Sequence, residues 1–270
     1  MGNIKIIKAF GEADVFSEEK LRRSLQRSGI ANNIVDEVVH EITPHIKEGM
    51  TTKEIYKQAF DLLKQYSKPH AARYRLKQAI NALGPSGFPF EFFIAELLKY
   101  EGYITKTGVI VQGHCVKHEI DVVAEKNDQH FMIECKFHNG QGIHSDVKIP
   151  LYIQSRFQDV AANRFQQAWL ITNTRFTEDA VTYGSCMGIN LVSWSYPAKY
   201  SLRERIDTSG LYPLTCLISL TSHEKSLLLN KGIVLCKQLC EQPQLLATVG
   251  IRNEQRIKNI LSEGRQLCMQ

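Results

Sequence analysis

Three charged side chains in the middle of the sequence have the chemistry of a hydrolytic site. Asp121 lies in an apolar run at 120–124, and Glu134 and Lys136 lie in a second run at 131–137. Carboxylates are preferred ligands of Mg²⁺ and Mn²⁺, and such an ion lowers the pKa of bound water and neutralises charge on a phosphodiester. Lys136 would orient the nucleophile or stabilise the transition state. These residues indicate metal-dependent phosphodiester hydrolysis, with Asp121 and Glu134 as ligands.

The two apolar runs predict the strands that would position these side chains. The polar segment Lys126-Asn127-Asp128-Gln129 separates them, which is typical of an antiparallel hairpin. Because side chains alternate along a strand, Glu134 and Lys136 are predicted to share one face. That face also takes Met132, and the other takes Phe131, Ile133, Cys135 and Phe137. The alternative is a solvated strand face with a surface ion pair, since an acid two residues before a lysine is common.

Asp121 followed by Glu134-Cys135-Lys136 resembles the PD-(D/E)xK nuclease superfamily. The flanking segments GFPFEFFIAELLKYEGYITKTGVIVQG and AWLITNTRFTEDAVTYGSCMGINLVSW predict helix, strand and then strand, helix, strand. This order is similar to the core of Mrr-type restriction endonucleases, including the Phe90-Glu91 helix start and a tail of the form LIT…F…A…GI.L. The resemblance covers about half of the chain. It implies DNA as substrate and magnesium or manganese as cofactor.

Two further site residues follow from this resemblance. Glu91 matches the helix acid that completes the metal shell in the superfamily; the alternative is an acid that favours a helix amino end. Glu96 matches less well. Gln154, on a helix predicted from 145 to 162, matches a polar residue that several members place near the metal-bound water. Its alternative is an exposed polar residue of the helix.

Histidines and cysteines of this sequence do not have the spacing of a zinc site. His114, His118, His138 and His144 occur singly on predicted strands and loops, so structural or phosphate-contacting roles are favoured. The seven cysteines are odd in number and scattered, which favours reduced thiols over a disulfide scaffold. Cys236 and Cys240 lie one helical turn apart without a second ligand pair, and no metal is predicted there.

Residues 1–84 predict a strand at 4–8 and a helix that begins at Ser17-Glu18-Glu19. Three more helices are predicted at 33–47, 52–66 and 69–83. Within this unit the motifs IIKAFGEADVFSEEKLRRSL, MTTKEIYKQAFDLL and HAARYRLKQAI resemble the ATP-cone, a regulatory nucleotide-binding domain. The resemblance implies ATP or dATP as a regulatory ligand. There is no Gly-Lys-Ser/Thr P-loop, so the nucleotide is expected as a signal rather than as a substrate.

The ATP-cone resemblance also implies a set of nucleotide-binding residues. Lys8 and Lys20 match its phosphate-contacting lysines, and Thr52 and Tyr56 match the hydroxyl and ring positions of its next helix. Further positive charge comes from Arg73, Arg75 and Lys77. The family often has Lys-Arg where this chain has Lys8-Ala9, which removes one phosphate contact. The alternative is a basic helical bundle with solvated lysines.

Residues 209–270 predict short helices, ending in LLATVGIRNEQRIKNILSEGRQL, which reads as helix, Gly turn, helix. This segment is similar to a helix-hairpin-helix module, in which backbone N–H groups contact a nucleic-acid phosphate without reading bases. The contact set implied is Gly250, Arg252, Arg256 and Lys258. The alternative is a small helical packing or dimerisation domain.

Composition and charge agree with a globular, nucleic-acid-binding protein. The chain has 270 residues, 43% hydrophobic content and a net charge of +5. Cationic and acidic residues number 14 and 10 in 1–84, 12 and 14 in 85–208, and 7 and 4 in 209–270. The acidic middle suits a metal centre, and the basic ends suit phosphate contacts. No run approaches the roughly 18 apolar residues of a membrane span, and the amino-terminal segment lacks a long apolar core, so a cytoplasmic protein without membrane contact is expected.

The sequence therefore predicts a multidomain α/β protein in three parts. These are a mostly helical ATP-cone at 1–84, a restriction-endonuclease-like core with a mixed sheet at 85–208, and a small all-α domain at 209–270. The expected function is metal-dependent DNA endonuclease activity adjusted by a bound nucleotide, with a homo-oligomer left open. The competing hypothesis is a catalytically inactive regulator that binds nucleic acid, since fold does not guarantee chemistry. A third is that the nucleotide itself is the substrate.

Overall fold

The computed structural model describes residues 4–8, 11–140, 142–161 and 165–268. Its N-terminal unit is a two-stranded antiparallel hairpin packed on helices. The elements are β1 (Lys5–Ile7), β2 (Ala13–Val15), α1 (Glu18–Gln26), α2 (Asn32–Ile42), a 3-10 turn (Thr43–His45), α3 (Thr52–Tyr66), α4 (Lys68–Tyr74) and α5 (Leu76–Asn81).

Local signals explain where these helices begin and end. The Ser17 hydroxyl accepts a hydrogen bond from the Lys20 amide, and Thr51 forms a capping box with Glu54, so side chains satisfy some of the free N–H groups at two helix starts. The helix predicted at 33–47 ends at Ile42 because Pro44 follows, which cannot donate to a continuing helix. The helix predicted at 69–83 is divided at Arg75, whose backbone leaves the helical region.

The central unit contains a five-stranded mixed sheet in the order β3-β4-β5-β7-β9. Strands β3, β4 and β5 are antiparallel, and β5, β7 and β9 are parallel. The elements are α6 (Phe88–Tyr100), β3 (Ile104–Gln112), β4 (Lys117–Lys126), β5 (Gln129–Lys136), β6 (His144–Ser145), α7 (Lys148–Ala161), β7 (Gln167–Thr172), β8 (Arg175–Phe176), α8 (Glu178–Cys186) and β9 (Asn190–Val192). The short strands β6 and β8 pair with each other.

The predicted hairpin and its two faces are confirmed. Asn127 and Asp128 turn the chain with φ of 53° and 59°, a conformation that these two residue types tolerate better than most. Met132 packs in the cluster that α7 covers, with Ile153 and Val160. The opposite face packs in the cluster that contains α6, through Phe131, Ile133, Cys135 and Phe137. Each face of β5 is therefore covered by a helix.

The C-terminal residues form short helices that share the core of the sheet. They are α9 (Leu202–Ser209), a 3-10 turn (Leu214–Cys216), α10 (Ser222–Leu229), α11 (Cys236–Glu241), a 3-10 segment (Pro243–Val249) and α12 (Glu254–Cys268). One buried cluster runs from α6 and the sheet through Tyr212 and Leu217 to Leu267. The Thr215 hydroxyl donates to the Ala79 carbonyl at 2.6 Å, which joins this unit to α5. Across the described ranges, no helix is long and apolar enough to cross a bilayer.

Candidate active site

Asp121 lies where β4 separates from β5. The ladder between these strands ends at the pair Val122 and Ile133, so Asp121 has no strand partner on that side. Its Oδ2 accepts the amide N–H of Cys135 at 2.7 Å, which satisfies the backbone group that the ladder leaves free. On the side of β3, the ladder between β3 and β4 leaves Gly108 and Asp121 unpaired. Gly108 has a φ of 60°, which a residue with a side chain rarely adopts. The backbone therefore fixes the direction of this carboxylate.

Glu134 is buried and forms an ion pair that sequence reasoning missed. Its Oε2 accepts from Nη1 of Arg156 on α7 at 2.6 Å, and both side chains are largely shielded from solvent. The other terminal guanidinium nitrogen, Nη2, donates to the Glu119 carbonyl. Oε1 of Glu134 is buried without a hydrogen-bond partner in the structure as described. A buried carboxylate oxygen without a donor is costly, and it is the kind of atom that a cation would satisfy.

The carboxyl groups around this point hold their protons more tightly than usual. Burial raises the pKa of Glu134 from 4.5 to about 8, with the negative charge of Asp121 adding to the rise and Arg156 opposing it. Burial also raises the pKa of Glu91 to about 7, with Asp121 and Glu119 adding to it. The pKa of Asp121 is raised by burial despite its bond from Cys135. These groups are therefore near enough to repel one another, as carboxylates that share one site do.

This donor set fits a divalent ion in chemistry but is not closed around one. Carboxylate oxygens are the ligands that magnesium and manganese prefer, and a bound cation would satisfy the unpartnered Oε1 of Glu134 and relieve the repulsion between the carboxylates. No group of three or more His, Cys, Asp or Glu side chains is already arranged to hold a metal in the ranges that could be searched. Arg156 instead supplies the positive charge beside Glu134. The two metal ligands Asp121 and Glu134, with Glu91, remain predictions.

The other two predicted catalytic residues lie in different settings. Lys136 is exposed at the end of β5, two positions beyond Glu134 on the same strand face. Gln154 is buried on α7 and lines a cavity with Gln129 and Gln167, at the end of the sheet where β5 and β7 begin. Its Oε1 has no hydrogen-bond partner among the described atoms. Because Glu134 lies toward the opposite end of β5, this geometry does not support a place for Gln154 beside the carboxylates.

His118 is held by an aspartate on α7 rather than by the candidate site. Its Nε2 lies 2.7 Å from Oδ2 of Asp159, and the same carboxylate accepts the backbone N–H groups of Cys115 and Val116. These bonds lower the pKa of Asp159. Asp159 thus ties the turn between β3 and β4 to α7, which is a structural role for His118.

The predicted nucleotide-binding residues other than Arg73 form two groups. Lys8 and Lys20 lie on either side of Asp14, with their Nζ atoms 3.2 and 3.1 Å from its Oδ2. Hydrogen bonds from Lys20 and then Lys8 lower the pKa of Asp14 to about 2. A cavity of about 300 Å³ is lined by the second group, Thr52, Tyr56 and Lys77, together with residues of β6 and β8.

Arg73 and Tyr56 are engaged within the protein. Nη2 of Arg73 donates to the Leu267 carbonyl at 3.2 Å, and its guanidinium lies 5.5 Å from the ring centre of Tyr212, so it contacts the C-terminal unit. The Tyr56 hydroxyl donates to the Tyr74 carbonyl, and the two rings stack 4.3 Å apart. The geometry does not place Arg73 with the predicted lysines.

Two of the four C-terminal residues predicted to contact nucleic acid, Gly250 and Arg256, form bonds within the protein. Gly250 has a φ of 85°, as a tight turn requires, but its N–H donates to the Ala247 carbonyl. Arg256 pairs with Glu224 at 2.7 Å. Arg252 and Lys258 are exposed. The segment before the turn is a 3-10 helix, so the helix-hairpin-helix assignment is not confirmed.

Comparison with known proteins identifies the central and C-terminal parts. The family model described as Restriction endonuclease matches residues 84–195, and the one described as AF1548-like, C-terminal, matches 212–268. An uncharacterized protein of Archaeoglobus fulgidus is 38% identical over 175 residues, which are 64% of this chain and 99% of that protein. The chain belongs to the AF1548-like family.

The solved structure of one relative agrees with that assignment. The crystal structure of AF1548, a protein of unknown function, is 36% identical, with a TM-score of 0.59 over 68% of this chain and 98% of that one. The structure of Can2 from Sulfobacillus thermosulfidooxidans in complex with cyclic tetra-adenylate is 18% identical, with a TM-score of 0.35 over 44% of this chain and 34% of that one. This AF1548-like chain thus contains a restriction-endonuclease-like domain, which supports a nuclease function. The ATP-cone assignment stays a prediction.

Proposed function

We propose that this AF1548-like protein is a metal-dependent endonuclease that hydrolyses DNA phosphodiester bonds at the site around Asp121 and Glu134. The observation that carries the proposal is the unpartnered, buried Oε1 of Glu134 beside a second carboxylate, on the strand pair that the restriction-endonuclease-like domain supplies. The negative charges of Asp121 and Glu91 raise the pKa of Glu134. A purely structural ion pair between Glu134 and Arg156 would not need these two further acids nearby.

The protein's own residues would divide the work as follows. Asp121, fixed by the Cys135 amide, and Glu134 would hold a magnesium or manganese ion, with Glu91 completing the carboxylate set. Such an ion, when bound, activates water and neutralises charge on the phosphate. Lys136 is exposed on the same strand face and would hold the attacking water or stabilise the phosphate charge. Arg156 keeps Glu134 oriented in the absence of the ion.

A plasmid-cleavage assay with Mg²⁺ or Mn²⁺ tests this function. Wild-type protein should convert supercoiled DNA to nicked or linear forms, and Glu134→Gln and Lys136→Ala should each reduce the rate by about 10²-fold or more. Matched controls are the half-buried Glu125→Gln on β4 and the exposed Lys106→Ala on β3, both outside the site. Equal cleavage by all variants would assign the activity to a contaminant or another site. Cleavage of RNA but not of DNA would identify RNA, rather than DNA, as the substrate.

We also propose that ATP or dATP binds the N-terminal unit as a regulatory ligand. Support comes from Lys8 and Lys20, which converge on Asp14, and from the separate cavity of Thr52, Tyr56 and Lys77. A triphosphate could replace Asp14 as the partner of both lysines. Melting-temperature shifts with ATP and dATP should shrink in Lys8→Ala, and unchanged shifts would remove Lys8 from the site. Phosphate release from ATP by protein that spares DNA would instead make the nucleotide the substrate.

A further inference from the structure

A cavity between the N-terminal and C-terminal units has the features of a second anion-binding site. Its volume is about 530 Å³, and it lies between α3, the break at Arg75 and one face of α10. It is separate from the carboxylates of the candidate active site and from the predicted lysines Lys8 and Lys20. Nothing in the proposed cleavage reaction uses it.

Three cations converge on this cavity without counterions. Lys64 and Arg75 come from the N-terminal unit and Lys225 from α10. None of them forms an ion pair with a residue that the structure describes, and no carboxylate belongs to the cavity lining in those ranges. Burial lowers the pKa of Lys225, and the charge of Arg75 adds to the lowering. Like charges that converge without a counterion are stabilised by a bound anion.

The carboxylate that acts on Lys225 is already satisfied elsewhere. Glu263 is buried, and its two oxygens accept the backbone N–H groups of Ile218 and Ser219 at 2.6 and 3.0 Å. Its charge opposes the lowering of the Lys225 pKa, but Glu263 does not line the cavity. The cavity therefore keeps a positive excess.

Two of the three cations are held in place by neighbouring groups. The guanidinium of Arg75 lies 4.5 Å from the ring centre of Phe60, and Nζ of Lys225 donates to the Thr215 carbonyl at 2.9 Å. A cation fixed in this way loses less freedom when it binds an anion. Gln78 and Ser226 add hydrogen-bonding groups to the lining.

We propose that this cavity binds a small phosphate-bearing anion that links the N-terminal unit to the C-terminal unit. Phosphate is favoured over a carboxylate because three separate cations match several negative oxygens on one ligand better than the single charge of a carboxylate. The site is independent of the proposed nuclease activity. Two sources share this chemistry, a nucleotide and an inorganic polyphosphate.

Calorimetric titration of the full chain with sodium tripolyphosphate and with ATP, at constant ionic strength, tests the site. Lys64→Ala and Arg75→Gln should each weaken tripolyphosphate binding about tenfold, because each removes one charge-assisted bond. Both side chains are exposed, so neither change should prevent folding. Lys57→Ala, an exposed cation of the same helix outside the cavity, is the matched control.

The Lys8→Ala variant separates this site from the proposed nucleotide site. Tripolyphosphate binding that persists in Lys8→Ala and weakens in Lys64→Ala and Arg75→Gln supports the proposal. Tighter binding of ATP than of tripolyphosphate in Lys8→Ala would assign a nucleotide, and equal or weaker binding would assign an inorganic polyphosphate. No binding to wild type, or equal binding to the Lys57, Lys64 and Arg75 variants, would overturn it.

Discussion

Nη1 of Arg156 lies 2.6 Å from Oε2 of Glu134, while Oε1 of the same carboxylate is buried without a hydrogen-bond partner in the described structure. One oxygen is therefore paired and the other is left for a ligand. A buried ion pair that served stability alone would be expected to satisfy both. The half-satisfied carboxylate, with Asp121 nearby, is the reason to expect a cation here.

The first prediction concerns the pH dependence of stability without a divalent ion. Glu134 has a pKa of about 8 and Glu91 of about 7, both above the ordinary 4.5. Because folding raises these values, the stabilising contribution is full below about 4.5 and is lost as the pH rises through 7 and 8. Urea midpoints should therefore fall across this window. The fall should be smaller in Glu134→Gln and unchanged in Glu125→Gln.

The second prediction concerns proton release on metal binding. The raised pKa of Glu134 means that this carboxyl holds a proton more tightly near neutral pH than an ordinary glutamate does, so a bound Mn²⁺ must displace that proton. The apparent affinity for Mn²⁺ should rise between pH 6 and 8 by about tenfold per unit for one displaced proton. Titration calorimetry in two buffers of different ionisation enthalpy measures the protons released. Binding without proton release would indicate ligands other than Glu134.

The third prediction concerns Arg156. Because its charge lowers the pKa of Glu134, Arg156→Met should raise that pKa further and reduce the free energy of unfolding at pH 8 by up to about 1 kcal/mol. Chemical denaturation at pH 8 measures the loss, and the loss should be smaller at pH 5, where Glu134 is neutral. Arg156→Lys, which keeps the charge, is the matched control. A loss of equal size at both pH values would mean that packing rather than charge is responsible.

The fourth prediction concerns Gln154. Since this side chain lines a cavity at the other end of β5, Gln154→Ala should leave the cleavage rate within about threefold of wild type. Its unpartnered amide oxygen means that Gln154→Leu should not reduce thermal stability. A large loss of cleavage with an unchanged melting temperature would show that Gln154 takes part in catalysis.

The fifth prediction concerns the C-terminal unit and nucleic acid. Arg252 and Lys258 are exposed, whereas Arg256 is paired with Glu224. If this surface contacts phosphates, Arg252→Ala and Lys258→Ala should each reduce the salt slope of DNA binding by about 1, and Arg256→Ala should mainly reduce stability. Fluorescence anisotropy at several salt concentrations measures the slope. Slopes that match wild type would favour a packing role for this unit.

Sequence reasoning reached the strand pair because its signals are local. The Asn127-Asp128 turn and the alternation through Met132 and Ile133 depend only on neighbouring residues. The burial of Glu134 follows from the same alternation. Its pairing with Arg156 does not, because that contact depends on how α7 crosses the sheet.

The departures from the expected positions have similar causes. The helix predicted at 69–83 divides at Arg75, where the residue contacts Phe60 and faces the cavity beside α10, and no local pattern in the sequence signals this. Gln154 was placed by resemblance alone; its side chain lines the cavity at the start of β5, whereas Arg156, two residues further along α7, contacts Glu134. Arg73 contacts Leu267, far along the chain. The catalytic role of Gln154 and the nucleotide-binding role of Arg73 stay predictions, and each of these contacts depends on long-range packing.

Direct measurement of Mn²⁺ binding, with cleavage followed in the same samples, tests the central claim most closely. Wild type should bind one Mn²⁺ per chain at pH 8 and cleave plasmid DNA. Asp121→Asn and Glu134→Gln should lose both properties together, and Glu125→Gln should keep both. Mn²⁺ binding and cleavage that are unchanged in Asp121→Asn and Glu134→Gln would contradict the assignment of this site.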